Sequence, residues 1–271
     1  MIDLDLFRAR SFNAALATNV LAVFIAFGYF LFVAQYLQLV LGLSPLEAGL
    51  WSLPSAVGFI VGSQAAPQLL RRFRPAYVIG AGLAMSAVGL AMLTQLDGSP
   101  GITVLVGASV IISLGLAPVF TATTDLIVGS APPERAGAAS GISETGAELG
   151  GAVGIAILGS IGTAVYRREL TDLLPANVPA EAVAATRDTL GAAASVAETL
   201  PNSVGTELLD AAREAFIRGM RVSTTVATLV AIGISVLALT MLRHVRSGSG
   251  QEAEAEGVRS SEMFDRVATV E

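Results

Sequence analysis

Apolar residues run through this chain in long blocks rather than in alternation or in short amphipathic stripes. No charged residue occurs within residues 11–46, 48–70, 75–96, 98–124 or 222–242, and a sixth uncharged block covers 149–165. Each of the first five reaches or exceeds the roughly 18–20 residues needed to cross a bilayer core. A soluble protein can hide one such block in its interior, but 271 residues cannot hide six. The pattern predicts an all-α integral membrane protein of six transmembrane helices.

The punctuation between the blocks fixes the elements. A first span is expected over residues 13–41, long enough to tilt. Ser44-Pro45-Leu46-Glu47 opens the second with a capping box and a proline at the first helical position. Pro54 lies inside that span and is expected to kink it. Arg71-Arg72-Phe73-Arg74-Pro75 closes it. The third span covers 76–96, and Asp97-Gly98-Ser99-Pro100-Gly101 turns the chain into a fourth that carries Pro118 and ends near Thr124. Ala131-Pro132-Pro133-Glu134-Arg135 precedes the fifth, 137–165, and the sixth is 221–242.

The organisation that follows has five parts: a cytoplasmic segment 1–12, five spans within 13–165, a long outer loop 166–220, a sixth span 221–242 and a tail 243–271. In the loop, Val183, Leu190 and Val196 recur at near-helical spacing, Pro201-Asn202 breaks the run, and Leu208, Leu209, Ala212 and Phe216 mark a second amphipathic stretch. An extracytoplasmic helical hairpin is expected there. The acidic tail lacks the apolar content to fold and is expected to be disordered. Arginines concentrate in the segments on the side of Met1, and the two short turns on the other side hold none. Both termini are therefore placed inside.

Composition removes several function classes. There is no cysteine, hence no disulfide, thiol nucleophile or thiolate metal site. The net charge of −6 argues against nucleic acid, which needs a basic face. The lone histidine, His244, lies among arginines at the end of the last span and is read as solvated or lipid-facing. No hydrolase elbow, phosphate loop or metal-ligand cluster occurs, so the chain does not read as an enzyme and no cofactor is expected. The partners expected are the lipid bilayer and a small hydrophobic or cationic substrate.

The anomaly is Glu144 and Glu148 in the fifth span. A carboxylate at membrane depth costs several kcal/mol unless it is paired, hydrated or protonated. Four residues apart, the two share one helix face. Counted from Gly137, Glu148 lies about 16 Å along the helix, near the bilayer midplane, and Glu144 one turn shallower. A carboxyl group that cycles its charge there can carry a proton or a cation. The competing reading is structural, a hydrogen bond to a neighbouring helix and nothing more. Gly146, Gly150 and Gly154 recur every four residues on the opposite side, a small-residue stripe suited to close helix packing. Gln35, Tyr36 and Gln38, near the outer end of the first span, are candidates to line a substrate pathway, with interfacial anchoring as the alternative for Tyr36. Arg71-Arg72-Phe73-Arg74 is either positive flanking charge or a latch against an acidic loop.

Several of these segments carry a family resemblance. Gln35-Tyr36-Leu37-Gln38, then Gly42 to Gly49 and Pro54, resemble the ninth-to-tenth helix region of fourteen-helix drug:proton antiporters, the EmrB/QacA-type major facilitators. Pro133 to Gly141 and Glu148 to Ala156 look like their thirteenth helix. Glu144-Thr145 before Glu148-Leu149-Gly150 is similar to the branch that exports cationic drugs. The long loop, with Asp188-Thr189-Leu190-Gly191 and Ala211 to Phe216, resembles that branch's outer loop. The resemblance implies one major-facilitator half in a bacterial inner membrane and proton-coupled efflux of hydrophobic, cationic drugs or metabolites. It implies a proton gradient as the driving force, an N-terminal half as partner, and Glu144 and Glu148 as the coupling residues. The family's cytoplasmic glycine–aspartate–arginine loop motif and its proline-glycine antiporter motif do not occur in this chain. A dedicated exporter of one endogenous metabolite is the alternative within the class, and a non-transporting membrane fragment or scaffold is the alternative outside it.

The topology is open to direct test, because a chain without cysteine accepts single reporter cysteines. In intact cells an impermeant thiol reagent should label Leu190→Cys and leave Phe73→Cys unlabelled; the reverse pattern would overturn the orientation.

Overall fold

The computed structural model describes residues 4–96, 101–174 and 178–243. Its helices begin where the sequence punctuates them. After a short 3₁₀ turn, Leu4–Arg8, helix α1 runs Arg10–Gln35 and passes into a π-helical turn, Tyr36–Val40. Gly42, at φ 68°, reverses the chain in the left-handed region that glycine enters without a Cβ clash. Helix α2, Pro45–Arg72, starts from a complete capping box. The Glu47 carboxylate accepts from the Ser44 backbone N–H at 2.9 Å and from the Ser44 hydroxyl at 2.8 Å. Pro54 and Pro67 both lie within the single helix assigned there. Helices α3, Pro75–Leu93, and α4, Ile102–Gly129, follow, the first with proline at its opening position. A 3₁₀ turn, Pro133–Arg135, leads into α5, Ala136–Leu173. Short helices α6, Ala180–Thr186, and α7, Leu190–Ala197, precede α8, Asn202–Met241.

Five of the six long helices are long and apolar enough to cross a membrane; the exception is α2. Glycine, serine, Gln64 and two prolines dilute the hydropathy of α2. It nevertheless lies along α4, with Gly58 against Val110 and Leu114, and Gly62 against Leu114, Ala117 and Pro118. The register rises together on both helices, so α2 runs parallel to α4 over the same thickness.

The packing has two rows. Helices α2, α4, α1 and α5 stand side by side in that order, and α3 and α8 lie behind them against α4 and α5. Lipid tails are as apolar as leucine, so helices in a bilayer associate through close van der Waals contact and buried polar bonds rather than hydrophobic expulsion. Each device is visible. Gly82 of α3 faces Gly115 of α4, and the Ser86 hydroxyl donates to the carbonyls of Gly82 and Ile112. The Ser235 hydroxyl ties α8 to the Gly80 carbonyl of α3 at 2.8 Å, and the Ser223 hydroxyl ties α8 to the Leu158 carbonyl of α5 at 3.0 Å. The Asn19 side-chain amide donates to the Thr123 hydroxyl at 2.9 Å, joining α1 to α4 in the core.

The outer end differs from the two-helix hairpin expected between the fifth and sixth spans. Residues 208–216 form the opening turns of the 40-residue α8 rather than a separate arm. The reason is local: Gly219, just before the expected start of the sixth span, packs directly on Gly162 of α5, and one glycine in a packed helix does not end it. At about 1.5 Å per residue, α5 and α8 each exceed the roughly 30 Å hydrocarbon core by some 25–30 Å. Their extensions are held by charge, with Arg218 bonded to Glu169 and Glu214. The short helices dock on them: the Tyr166 hydroxyl donates to the Thr186 carbonyl at 2.9 Å, and Arg167 pairs with Asp188 at 2.8 Å. Pro201 does separate α7 from α8. His244 and the acidic tail lie outside the described residues.

A β-carbon at Gly154 would collide with the Phe24 carbonyl of α1, whereas one at Gly137 meets nothing within 4 Å. Gly154→Val should therefore lower thermal stability in detergent by about 1–3 kcal/mol, the usual range for overpacking. Gly137→Val is the control, and equal melting temperatures for the two variants would contradict the packing.

Candidate functional site

Helix α5 has two unlike faces. On one, Gly150 and Gly154 are buried, and Gly146 approaches Leu16 and Val20. Added β-carbons at Gly150 and Gly154 would run into the carbonyl oxygens of Val20 and Phe24. The two backbones therefore touch, and no larger residue fits between them. Further along, Gly159 meets Leu31 and Gly162 meets Phe32. The residue numbers rise together, so α5 and α1 run parallel.

Glu144 and Glu148 project from the other face. Both are exposed, and neither forms an ion pair or a hydrogen bond with another described residue. The neighbouring Thr145 hydroxyl is occupied by the Gly141 carbonyl at 2.8 Å. Two carboxyl groups thus stand one turn apart on a membrane-crossing helix, turned away from the helices of this chain. What meets them must be water, a proton, a cation or a surface that the described residues do not supply. Beside them α1 and α5 enclose an open apolar cavity of about 620 Å³, lined by Phe7, Leu16, Val20, Ile142, Thr145 and Leu149. An apolar surface bordered by carboxylates is chemically suited to a lipophilic cation.

Gln35, Tyr36 and Gln38 do not form one surface. Tyr36 is fully buried in the core. Gln38 is exposed. Gln35 lines a small cavity with Phe32, Thr163, Tyr166, Asp188 and Phe216 at the outer end, while its amide donates to the Leu31 carbonyl. Nor do the glutamines join the glutamates. With Gly162 against Phe32, Gln35 stands level with residue 165 of α5, about 25 Å along the helix from Glu148. A route past both would traverse most of the bilayer.

Three polar side chains within the spans carry no sequence motif that marks them. Asn19 and Thr123 form the buried bond between α1 and α4, the two helices at the centre of the front row. Asp125 is half-buried inside α4, which continues to Gly129. The available signal was a strong polar side chain within a span, which is costly unless partnered.

A family model described as the Major Facilitator Superfamily matches residues 3–155. The multidrug efflux pump LfrA of Mycolicibacterium smegmatis is 37% identical over 88% of this chain and 47% of its own length. The tetracenomycin C resistance and export protein of Streptomyces glaucescens is 33% identical over 88% of this chain and 45% of its own. The methyl viologen resistance protein SmvA of Salmonella typhimurium is 33% identical over 86% and 48% respectively. Among solved structures, an inward-facing, unoccupied bacterial homologue of the human lysosomal transporter Spinster superposes with a TM-score of 0.58 at 19% identity, over 89% of this chain and 51% of that one. That likeness concerns the fold alone. The chain spans about half the length of the curated relatives it matches.

Proposed function

The chain belongs to the Major Facilitator Superfamily, a family of membrane transporters, and from that premise we propose that it acts as one six-helix half of a proton-coupled exporter of hydrophobic, cationic compounds in a bacterial inner membrane. Its curated relatives are drug-efflux and drug-resistance transporters. One is named for resistance to methyl viologen, a flat dication. The observation that carries the reading is the disposition of Glu144 and Glu148. Both side chains are exposed beside an apolar cavity, on a helix whose glycine face is locked to α1.

The mechanism follows from charge. A carboxylate on that face attracts a cation, and a protonated carboxyl group does not. Binding a proton on the side of higher proton activity and a cation on the other couples the two movements without a covalent step. The second half supplies the opposite wall of the cavity, the two halves being related about an axis along the membrane normal. A dedicated exporter of one metabolite is the second reading, favoured by the likeness to a relative named for tetracenomycin C export.

Glutamine keeps the size and most of the hydrogen bonding of glutamate but cannot ionise. In vesicles holding this chain with a companion half, Glu148→Gln should insert at wild-type levels and abolish efflux of a cationic dye driven by an imposed pH gradient. Glu144→Gln, one turn shallower, should weaken efflux and shift cation preference. Wild-type efflux by Glu148→Gln at matched protein levels would refute the carrier role. Full efflux from vesicles holding this chain alone would refute the need for a second half.

A further inference from the structure

The inner corner formed by α2, α3 and α8 holds a second feature, to which the proposed transport mechanism assigns no role. Between the end of α2, the start of α3 and α4 runs an open cavity of about 380 Å³, lined by Leu69, Phe73, Tyr77, Val78, Met85 and Pro118 among others. Its named lining side chains are apolar apart from the Tyr77 hydroxyl. Helices α2 and α3 adjoin in sequence yet barely touch, because both pack on α4 and leave a slot between them. From Tyr77 to Met85 the slot follows two turns of α3, about 12 Å at 1.5 Å per residue. Phe73, Tyr77 and Met85 are all open to the surroundings, at 49%, 55% and 38% exposure.

The mouth of the slot is strongly cationic. Arg71, Arg72 and Arg74 flank Phe73, and all three are exposed. The Arg74 guanidinium donates to the Arg243 backbone carbonyl at 3.1 Å, which brings the end of α8, with the exposed residue Arg243, to the same corner. Among the described residues, none of these four arginines forms an ion pair with an acid. Arg72 lies 5.9 Å above the Phe73 ring, the aromatic residue at the entrance. Like charges gathered at one corner favour an anionic partner, and guanidinium groups bind phosphate oxygens in forked geometry.

We infer that this corner is a binding site for one anionic phospholipid, its phosphate held by Arg71, Arg72, Arg74 and Arg243 and one acyl chain lying in the slot between α2 and α3. Charge and shape agree on that occupant. A free anion would leave the slot unfilled, and a zwitterionic lipid would bring its own cation to the arginines. An acidic loop latched on the arginines would satisfy the charge and leave the slot open. Cationic pockets between membrane helices are a general means of holding anionic headgroups. The inference is independent of what the chain transports, and its test involves no transport.

The test uses the purified full chain in detergent, titrated with phosphatidylglycerol or phosphatidylcholine, with the melting temperature and the lipid retained in native mass spectrometry as readouts. Phosphatidylglycerol should raise the melting temperature and remain bound at one copy, and phosphatidylcholine should do neither. Two variants separate the parts of the site. Arg71→Gln/Arg72→Gln/Arg74→Gln removes the charge. Ala81→Trp, at an exposed position on the slot wall, fills the slot and keeps every arginine. Each should remove the response to phosphatidylglycerol. Equal responses to both lipids, a response reproduced by inorganic phosphate, or retention of phosphatidylglycerol by Ala81→Trp would each overturn the site. So would a triple variant destabilised equally with and without lipid, which is the behaviour of a latch.

Discussion

The approach of α5 to α1 through glycine governs the rest of the arrangement. In a bilayer nothing expels these helices toward each other, and their contact depends on how closely the backbones fit. Gly150 and Gly154 bring α5 against the carbonyls of Val20 and Phe24. That contact fixes the rotation of α5 about its axis. Because Glu144 and Glu148 are on average about 120° around the helix from these glycines, at 100° per residue, it also fixes where the carboxyl groups point. A side chain larger than hydrogen on the glycine face would move the glutamates as well as weaken the packing.

The other contacts rest on the same economy. Serine, asparagine and threonine hydroxyls or amides cross between neighbours at Ser86, Ser223, Ser235 and Asn19, each meeting a carbonyl or hydroxyl that has no water to turn to. Beyond the bilayer the means of cohesion change. The extensions of α5 and α8, with α6 and α7 on them, are joined by ion pairs and by the buried Tyr166 hydroxyl. Arg213 donates to the Leu39 carbonyl at 3.1 Å, so the outer assembly is also anchored to the π-helical end of α1. Leu39 lies in the last turn of that helix, where a carbonyl has no intrahelical partner and a side chain can take it.

Much of this was legible in the sequence, for stated physical reasons. Uncharged length reports spans, because the cost of a charge in hydrocarbon is large. Ser44, Pro45 and Glu47 announced a helix start that the structure draws as a complete capping box. The glycine period in α5 pointed to a packed face opposite the glutamates. What stayed hidden depends on tertiary partners. Nothing near Gly219 signals whether the helix breaks or continues, since continuation rests on Gly162 of another helix. Tyr36 reads as an interfacial or pathway residue and lies in the core, on the same helix face as the buried Tyr29, Phe32 and Val33. Asn19 was one polar residue in an apolar run, and its partner lies 104 positions away.

The division of α5 into a locked and an open face bears on how a charge could cycle there. If gaining or losing a proton at Glu148 required repacking against α1, each cycle would work against a direct backbone contact. No such repacking is needed. The carboxyl groups touch none of the surfaces that hold the six long helices together, so a change in their charge acts on what stands opposite them and leaves this bundle intact. A rigid half that presents a switchable charge to a second surface transmits the switch as attraction or release between bodies, and rocking of one repeat against another has that form.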